Sequence, residues 1–450
     1  MRKKKRRIRK GRLFILVIFT IFIFGGCIKL STSLFKEPQM TYLNETKNET
    51  KNEAKQNEEI KTSNYKAVVT NNSEKNSDIV EEYFTDGMST EDYKKSIEKI
   101  DDYLDISGQY TKVIFNFNKK YHYAELEEIY KSLALSDIVK IEIIGKSVDN
   151  RNMYSIEIGK GEDVTMFEAG IHAAETASPL FITNFMVDLV NKYENGDEDT
   201  IKLLNSHKIV VLPSANPDGY ETAMWGKAAL NNKSLYIAKE ADEESLEYIK
   251  TNANGVDLNR NFPSQTAGLY YNMYDLHYTV SLDKSIDRLS YYPGDTLGSE
   301  PETRAIIYWQ NKFVSHLKSY VALHTAGRVV YNGKPYLSDT YNDNSHECAN
   351  IVGYITDYMV MSKADEEAGE GNDGTSSEYM AETISGFTFS SVTGRLSSDW
   401  YAKKYDQIKY EKACVIVIEA LEYYTNDLNT IKREYYNYDL EKAYLAVINR

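Results

Sequence analysis

Residues 164–175 read VTMFEAGIHAAE. Val164 to Glu168 has the β-branched, apolar character of a strand, and Gly170 breaks the run. His172 and Glu175 then stand three apart, at the opening of an apolar-faced helix expected over Thr176–Asn191. The same alternation extends on both sides. Tyr123–Leu135 has helical period, while Ile138–Ile144 and Tyr154–Ile158 pattern as strands. Lys208–Leu212 (KIVVL), Tyr320–Leu323 and Cys414–Ile418 (CVIVI) are short β-rich runs that stop at polar residues. This pattern predicts an α/β fold: a mixed, mostly parallel sheet flanked by helices. In such sheets chemistry collects outside the carboxyl ends of the strands.

Those ends carry reactive residues. His324 follows the run at 320–323, and Glu419 follows the run at 414–418. A catalytic zinc takes three protein ligands and keeps one position open, and two His plus one Glu is a standard set. His172, Glu175 and His324 supply it from two strand ends. Glu419 is then a nearby carboxylate suited to act as base toward water. A His-x-x-Glu pair alone matches by chance too often to decide anything.

Further motifs sharpen the reading. Asn216 to Tyr220 reads NPDGY, Gly255 to Pro263 reads GVDLNRNFP, and Ser299 to Thr303 reads SEPET. With His-x-x-Glu, Leu-His and Ile-Glu in the same order, the chain resembles the M14 zinc carboxypeptidase family over about residues 121–425. That resemblance implies a carboxypeptidase-like sheet, one Zn²⁺ held by His172, Glu175 and His324, and Glu419 as catalytic glutamate. It also implies that Asn259 and Arg260 grip a substrate carboxylate. Physically the pair suits that role, because a planar guanidinium fork meets a carboxylate bidentately and an amide adds a donor. His324-Thr325-Ala326-Gly327 with the later Tyr331, together with Asp399-Trp400-Tyr401, resembles the bacterial γ-D-glutamyl-diaminopimelate endopeptidases, which cut peptidoglycan stem peptides. Arg328 is a further candidate for a carboxylate contact.

The chain also departs from the family pattern. Residues 221–258 contain no Arg, where relatives carry one that polarises the scissile carbonyl; Lys227 and Lys250 are the cations at hand. Ser390-Ser391 occupy the place of a mobile Tyr, and Ala174 stands where many relatives have Arg. The spacing from Asp399 to Glu419 is long. Residues 361–378 form an acidic, Gly-bearing insertion.

The outer parts of the 450-residue chain have another character. Residues 1–12 carry nine Lys or Arg; removing them from the net −14 leaves −23 for residues 13–450. So acidic a body excludes a nucleic-acid binder. The basic end precedes the apolar run LFILVIFTIFIF (13–24), which continues to Ile28. Residues 1–29 therefore read as a basic cytoplasmic end plus a membrane anchor, or as a lipoprotein signal with lipidation at Cys27. Residues 30–84, with NETKNETKNEAKQNEE, read as a flexible tether. Residues 85–120 read as a small extension with a helix over 89–104 and a strand over 113–117. Residues 121–450 read as the metallopeptidase domain. Three cysteines exclude a disulfide framework and a Cys-based zinc site; Cys348 and Cys414 are read as separate buried thiols, a single bridge being the alternative.

The expected function is a zinc-dependent peptidase on the extracytoplasmic face of a bacterial membrane, with a peptide substrate, chiefly peptidoglycan stem peptides. A general carboxypeptidase acting on peptide C-termini and a zinc-retaining wall-binding protein of low turnover are the alternatives.

Overall fold

The computed structural model describes residues 66–71, 102–262, 264, 289–294, 297–333, 337–362, 374–385, 389–390, 395–396 and 413–450. They fall in one compact unit that spans Ser63–Arg450. The basic end, the apolar run and Cys27 lie outside the described residues, as do Asp399-Trp400-Tyr401 and the Ser390-Ser391 side chains. Among the described residues no helix is long and apolar enough to cross a membrane.

A ten-stranded sheet organises the unit. Its strands are β1 (Lys66–Asn71), β2 (Asp102–Ser107), β3 (Val139–Lys146), β4 (Asn152–Ile158), β5 (Asp163–Ala169), β6 (His207–Leu212), β7 (Leu317–Thr325), β8 (Val329–Asn332), β9 (Met359–Ser362) and β12 (Cys414–Ala420). The two-residue strands β10 (Phe389–Ser390) and β11 (Arg395–Leu396) pair apart from it. The order is β1-β2-β3-β4-β6-β5-β7-β12-β8-β9. The centre, β6-β5-β7-β12, is parallel. The flank β1-β2-β3-β4-β6 is antiparallel, and so is the β12–β8 pair. The sheet is thus mixed but not mostly parallel. The reason is loop length: Ser147–Arg151 between β3 and β4 is a tight turn, which joins only antiparallel neighbours, whereas parallel neighbours need a crossover.

Helices supply those crossovers. Helix α1 (Tyr123–Leu133) precedes β3; α2 (Ala177–Glu194) and α3 (Glu198–Ser206) link β5 to β6. Then follow α4 (Pro217–Trp225), α5 (Pro301–Phe313), α6 (Asp339–Thr356), α7 (Ser376–Ile384), α8 (Leu428–Asn437) and α9 (Leu440–Ile448). Both faces of the central strands are covered. In β6, Ile209 and Val211 enter the core packed by α1, α2 and α9, while Val210 and Leu212 enter the core packed by α5 and α7. A strand buried on both faces reads as an unbroken apolar run, which is what KIVVL is. Cys348 and Cys414 are both buried free thiols.

Three expectations are corrected. Lys66–Asn71, read as tether, forms β1 and pairs in register with β2. Residues 102–104, read as the end of a helix, belong to β2, because pairing with β1 and β3 outweighs the local helical period. Val113–Phe117 is not a strand: the side chain of Asn191 on α2 takes both backbone groups of Val113, at 3.2 and 2.8 Å, in place of a neighbouring strand. Asp102–Ser107 of that extension therefore belong to the main sheet.

Candidate metal centre

The carboxyl ends of three adjacent parallel strands meet at one place. Glu419 on β12 is in register with His324 on β7, and Leu323 of β7 is in register with Ala169, the last residue of β5. After Ala169 the chain turns sharply at Gly170 (φ 67°), where a Cβ would lie 2.6 Å from Pro179 Cγ. Only glycine accepts both the positive φ and the close approach. The turn carries His172 and Glu175 back over the strand ends before α2 begins at Ala177.

Glu175 is the hub. Its Oε1 lies 2.6 Å from His172 Nδ1, and its Oε2 lies 2.9 Å from His324 Nδ1 and accepts from the Thr325 amide at 3.2 Å. The ligand atoms of His172, Glu175 and His324 all lie within 4.8 Å of one another, and all three residues are buried. Burial would raise the Glu175 carboxyl, but the two imidazoles hold it well below the usual carboxylate range. Burial would lower His172, but Glu175 and Asp257 override it and hold the ring up at about 9. Two imidazole nitrogens and a carboxylate, desolvated and turned on a common point, match the donor set of a catalytic zinc. Buried charges of this kind are tolerated only when paired or bound to metal.

A second layer orients these groups. The other ring nitrogen of His172, Nε2, has no hydrogen-bond partner of good geometry and lies 3.4 Å from Asp257 Oδ1. A carboxylate behind a metal-ligating imidazole fixes its tautomer and raises its basicity. Asp257 Oδ1 also accepts from the Asn259 amide at 3.0 Å and so caps the short turn Leu258–Arg260. On β5, beside β7, Glu168 is buried and accepts from Ser376 Oγ at 3.1 Å and from the Tyr320 hydroxyl. Asp257 and Glu168 were not singled out in the sequence. Asp257 lay inside the GVDLNRNFP motif; Glu168 showed no signal beyond its place in a strand.

The pair expected to meet a carboxylate is also brought in. Asn259 and Arg260 are buried, at 7% and 6% exposure, on the turn that Asp257 caps. Asn259 Oδ1 accepts from the Ser376 amide at 3.0 Å, which commits the amide oxygen to α7 and leaves NH₂ as its remaining polar group. The turn is clamped by Gly374, whose carbonyl accepts from the Phe262 amide at 3.0 Å; a Cβ there would lie 2.8 Å from the Arg260 carbonyl oxygen. Glu419 is partly exposed. Burial pushes its carboxyl up, and Glu175 adds to this against the opposing pull of His324. A raised, water-accessible carboxylate beside a metal site has the character of a general base.

Two expected residues fall elsewhere. Arg328 is engaged by the protein itself: its Nε and Nη2 donate to the two oxygens of Glu434 on α8 at 3.0 and 2.8 Å, and its guanidinium lies 4.3 Å from the Tyr438 ring centroid. A fork already filled by a carboxylate does not grip a second one. Lys227 donates to the Ala241 carbonyl at 2.8 Å, within the insertion after α4. Lys250, in contrast, lies beside the metal loop, where its carbonyl accepts from the Ala173 amide at 3.3 Å.

Comparison with known proteins agrees with this geometry. The zinc carboxypeptidase family model matches residues 122–416, and the chain belongs to that family. The catalytic chain of human carboxypeptidase N is 30% identical over 186 residues, covering 39% of this chain and 36% of that protein. Carboxypeptidase B2 of Bos taurus is 27% identical over 252 residues, covering 53% of this chain and 52% of that protein. The chain thus spans between about a third and a half of the length of these relatives. Among solved structures, carboxypeptidase A from Helicoverpa armigera superposes with a TM-score of 0.51 at 17% identity, covering 76% of each chain. Bovine thrombin-activatable fibrinolysis inhibitor does so with a TM-score of 0.50 at 19% identity, covering 74% of this chain and 99% of the other.

Proposed function

We propose that the chain is a zinc-dependent peptidase that hydrolyses a peptide bond next to a substrate carboxylate, with peptidoglycan stem peptides as its substrate class. The observation that carries the reading is the convergence of His172, Glu175 and His324 with Glu419 on three adjacent strand ends, beside the buried Asn259–Arg260 turn.

His172, Glu175 and His324 would hold the ion. Bound there, zinc lowers the pKa of water toward neutrality and polarises a carbonyl. Glu419 takes a proton from the attacking water and returns it to the leaving nitrogen. Asn259 and Arg260 hold the carboxylate of the leaving part, so that the bond next to it is presented to Glu419. Asp257 keeps His172 oriented.

The stem-peptide assignment is supported by the His324-Thr325-Ala326-Gly327 turn and by the N-terminal segment. Nine cations followed by an apolar run support a reading in which residues 30–450 lie on the outer face of a bacterial membrane, where that substrate lies. A second reading, a carboxypeptidase on peptide C-termini, is favoured by the zinc carboxypeptidase family model matched over residues 122–416 and by the names of the relatives. Mass analysis of products separates them. Purified protein with equimolar zinc is incubated with muropeptides and, separately, with N-blocked dipeptides. Cleavage beside diaminopimelate supports the first reading; release of single C-terminal residues from dipeptides alone supports the second; no cleavage of either overturns both.

A further inference from the structure

The connection from β7 to β8 crosses the end of the strand that lies between them. Strand β12 pairs with both, parallel to β7 and antiparallel to β8, and Glu419 is in register with His324 on one side and Val329 on the other. Residues 326–328 join those two strands, so the chain leaving β12 after Ala420 has to turn out of their way at once. Leu421 makes that turn at a φ of 64°, in the left-handed region, which is costly for a residue with a Cβ. Arg328, on the crossing segment, also has a positive φ, 50°. The Gly327 and Arg328 amides donate to the Leu421 carbonyl at 2.7 and 3.0 Å. The two left-handed residues thus meet just beyond Glu419 on one chain segment and just beyond His324 on the other.

Backbone strain of this kind persists only where the surroundings over-determine it. Here a single carboxylate ties the strained residues together. Glu434 on α8 is 2% exposed. Its Oε1 accepts from the Leu421 amide at 3.0 Å, from Arg328 Nε at 3.0 Å and from the Tyr358 hydroxyl at 2.6 Å, and its Oε2 accepts from Arg328 Nη2 at 2.8 Å. A buried carboxylate is tolerated when it is paired and hydrogen-bonded in this way. Its donors come from the exit of β12, from the β7–β8 crossing and from the residue before β9. The Arg328 fork is bidentate, so it fixes direction as well as distance. Glu434 therefore reaches the site through Leu421 and Arg328, the residues that set how the chain leaves β12 and passes over its end.

We propose that Glu434 is a positioning residue for Glu419: with Arg328 as its clamp it holds the left-handed turn at Leu421, and so fixes where the carboxylate of Glu419 stands over the metal ligands. The inference rests on the peptidase reading above. A base acts only when held within hydrogen-bond reach of its proton, and a misplacement of about 1 Å costs up to about 10²-fold in rate. Strand pairing fixes Glu419 as far as Ala420, the last residue of β12 in register with β7. Beyond that residue the Glu434 carboxylate takes over. Arg328, expected to meet a substrate carboxylate, serves the site from behind instead.

The test uses the full chain and the variants Glu434→Gln, Arg328→Lys, Glu419→Gln and the double variant Glu434→Gln/Glu419→Gln. Hydrolysis is measured on the muropeptide or N-blocked dipeptide that the unsubstituted protein cleaves, with equimolar zinc, and zinc content is recorded in each sample. Glu434→Gln keeps the shape but sets an NH₂ against the guanidinium. It is expected to lower kcat by about 30-fold with KM within about threefold and zinc retained. Arg328→Lys keeps the charge but not the fork, and is expected to lose about fivefold in kcat. A residue that acts through Glu419 has little left to lose once Glu419 is gone, so Glu434→Gln is expected to cost less than about threefold more in the Glu419→Gln protein. A merely structural role would repeat its full cost there. Amide hydrogen exchange of residues 419–421, followed by mass in metal-free protein, is expected to quicken by about tenfold in Glu434→Gln. A kcat within twofold of the unsubstituted protein in both single variants, or a Glu434→Gln loss that repeats in full on Glu419→Gln, overturns the proposal; where Glu434→Gln does not fold, Arg328→Lys alone decides by the same limit. If the unsubstituted protein cleaves no peptide, the peptidase reading fails and the catalytic part of the proposal with it, while exchange at 419–421 still decides whether Glu434 holds the turn.

Discussion

Glu175 shows how one side chain can define a site. It touches both imidazoles and the Thr325 amide, so its position depends on β7 as well as on its own loop. Asp257 acts one step behind, at His172 Nε2. Substituting Asp257→Asn keeps the shape and the cap on Asn259 but removes the charge behind the imidazole. Zinc affinity, measured by chelator competition, is expected to fall by about 10–100-fold; an unchanged affinity would show that Asp257 serves only the turn. At this scale the sequence was readable wherever residue type and motif spoke together. His172, Glu175, His324, Glu419, Asn259 and Arg260 all come to one place. Arg328 did not, because nothing in a linear sequence announces that Glu434, more than a hundred residues away, fills its fork.

At the scale of elements, the central parallel strands were legible in outline. KIVVL, CVIVI and VTMFE are apolar enough to demand burial on both faces, and their polar successors mark where each strand stops. Elements held by distant partners were not legible, as the Val113–Asn191 contact and the β1–β2 pairing show. The start of α5 holds a pH-sensitive group. Glu302 is buried, accepts from the Val148 amide at 3.0 Å and from Asn252 Nδ2 at 3.2 Å, and sits near Asp218 and Glu300. Burial first, then these carboxylates, push it up to about 8. A carboxyl raised in the folded state contributes stability that is complete below its unfolded value near 4.5 and is lost as pH rises through about 8. Between pH 5.5 and 8.5 the protein is therefore expected to lose stability on the order of 2 kcal/mol that Glu302→Gln retains. Urea unfolding at the two pH values reads the difference; parallel losses in both proteins would contradict it.

For the whole molecule, the sheet makes a platform whose metal-ligand cluster, among the described residues, lies at one end. Its parallel centre brings β5, β7 and β12 to the metal loop, while the antiparallel flank and the helices hold that centre in register. The metal-ligand residues come from positions as far apart as 172 and 324, so an ion bound there stabilises the folded chain against every state in which those positions separate. Zinc at about 1,000 times its dissociation constant is expected to add roughly 4 kcal/mol, seen as a rise in Tm that a chelator reverses. His324→Ala should abolish the zinc-dependent rise; a rise that survives in that variant would place the metal elsewhere. The charge division also acts at this scale. The chain from residue 13 onward carries −23, yet the buried Arg260 stands on the turn beside the metal cluster, so net charge does not report the sign of the site.

The central claim is that Glu419 performs the proton transfers of a metal-dependent peptide hydrolysis at the His172–Glu175–His324 cluster. It is tested most directly by the hydrolysis rate of Glu419→Gln protein on the peptide the unsubstituted protein cleaves best, with zinc content measured in the same sample. The expected result is one zinc per chain and a rate lowered by at least about 10³-fold. A rate within tenfold of the unsubstituted protein, with zinc retained, would contradict it.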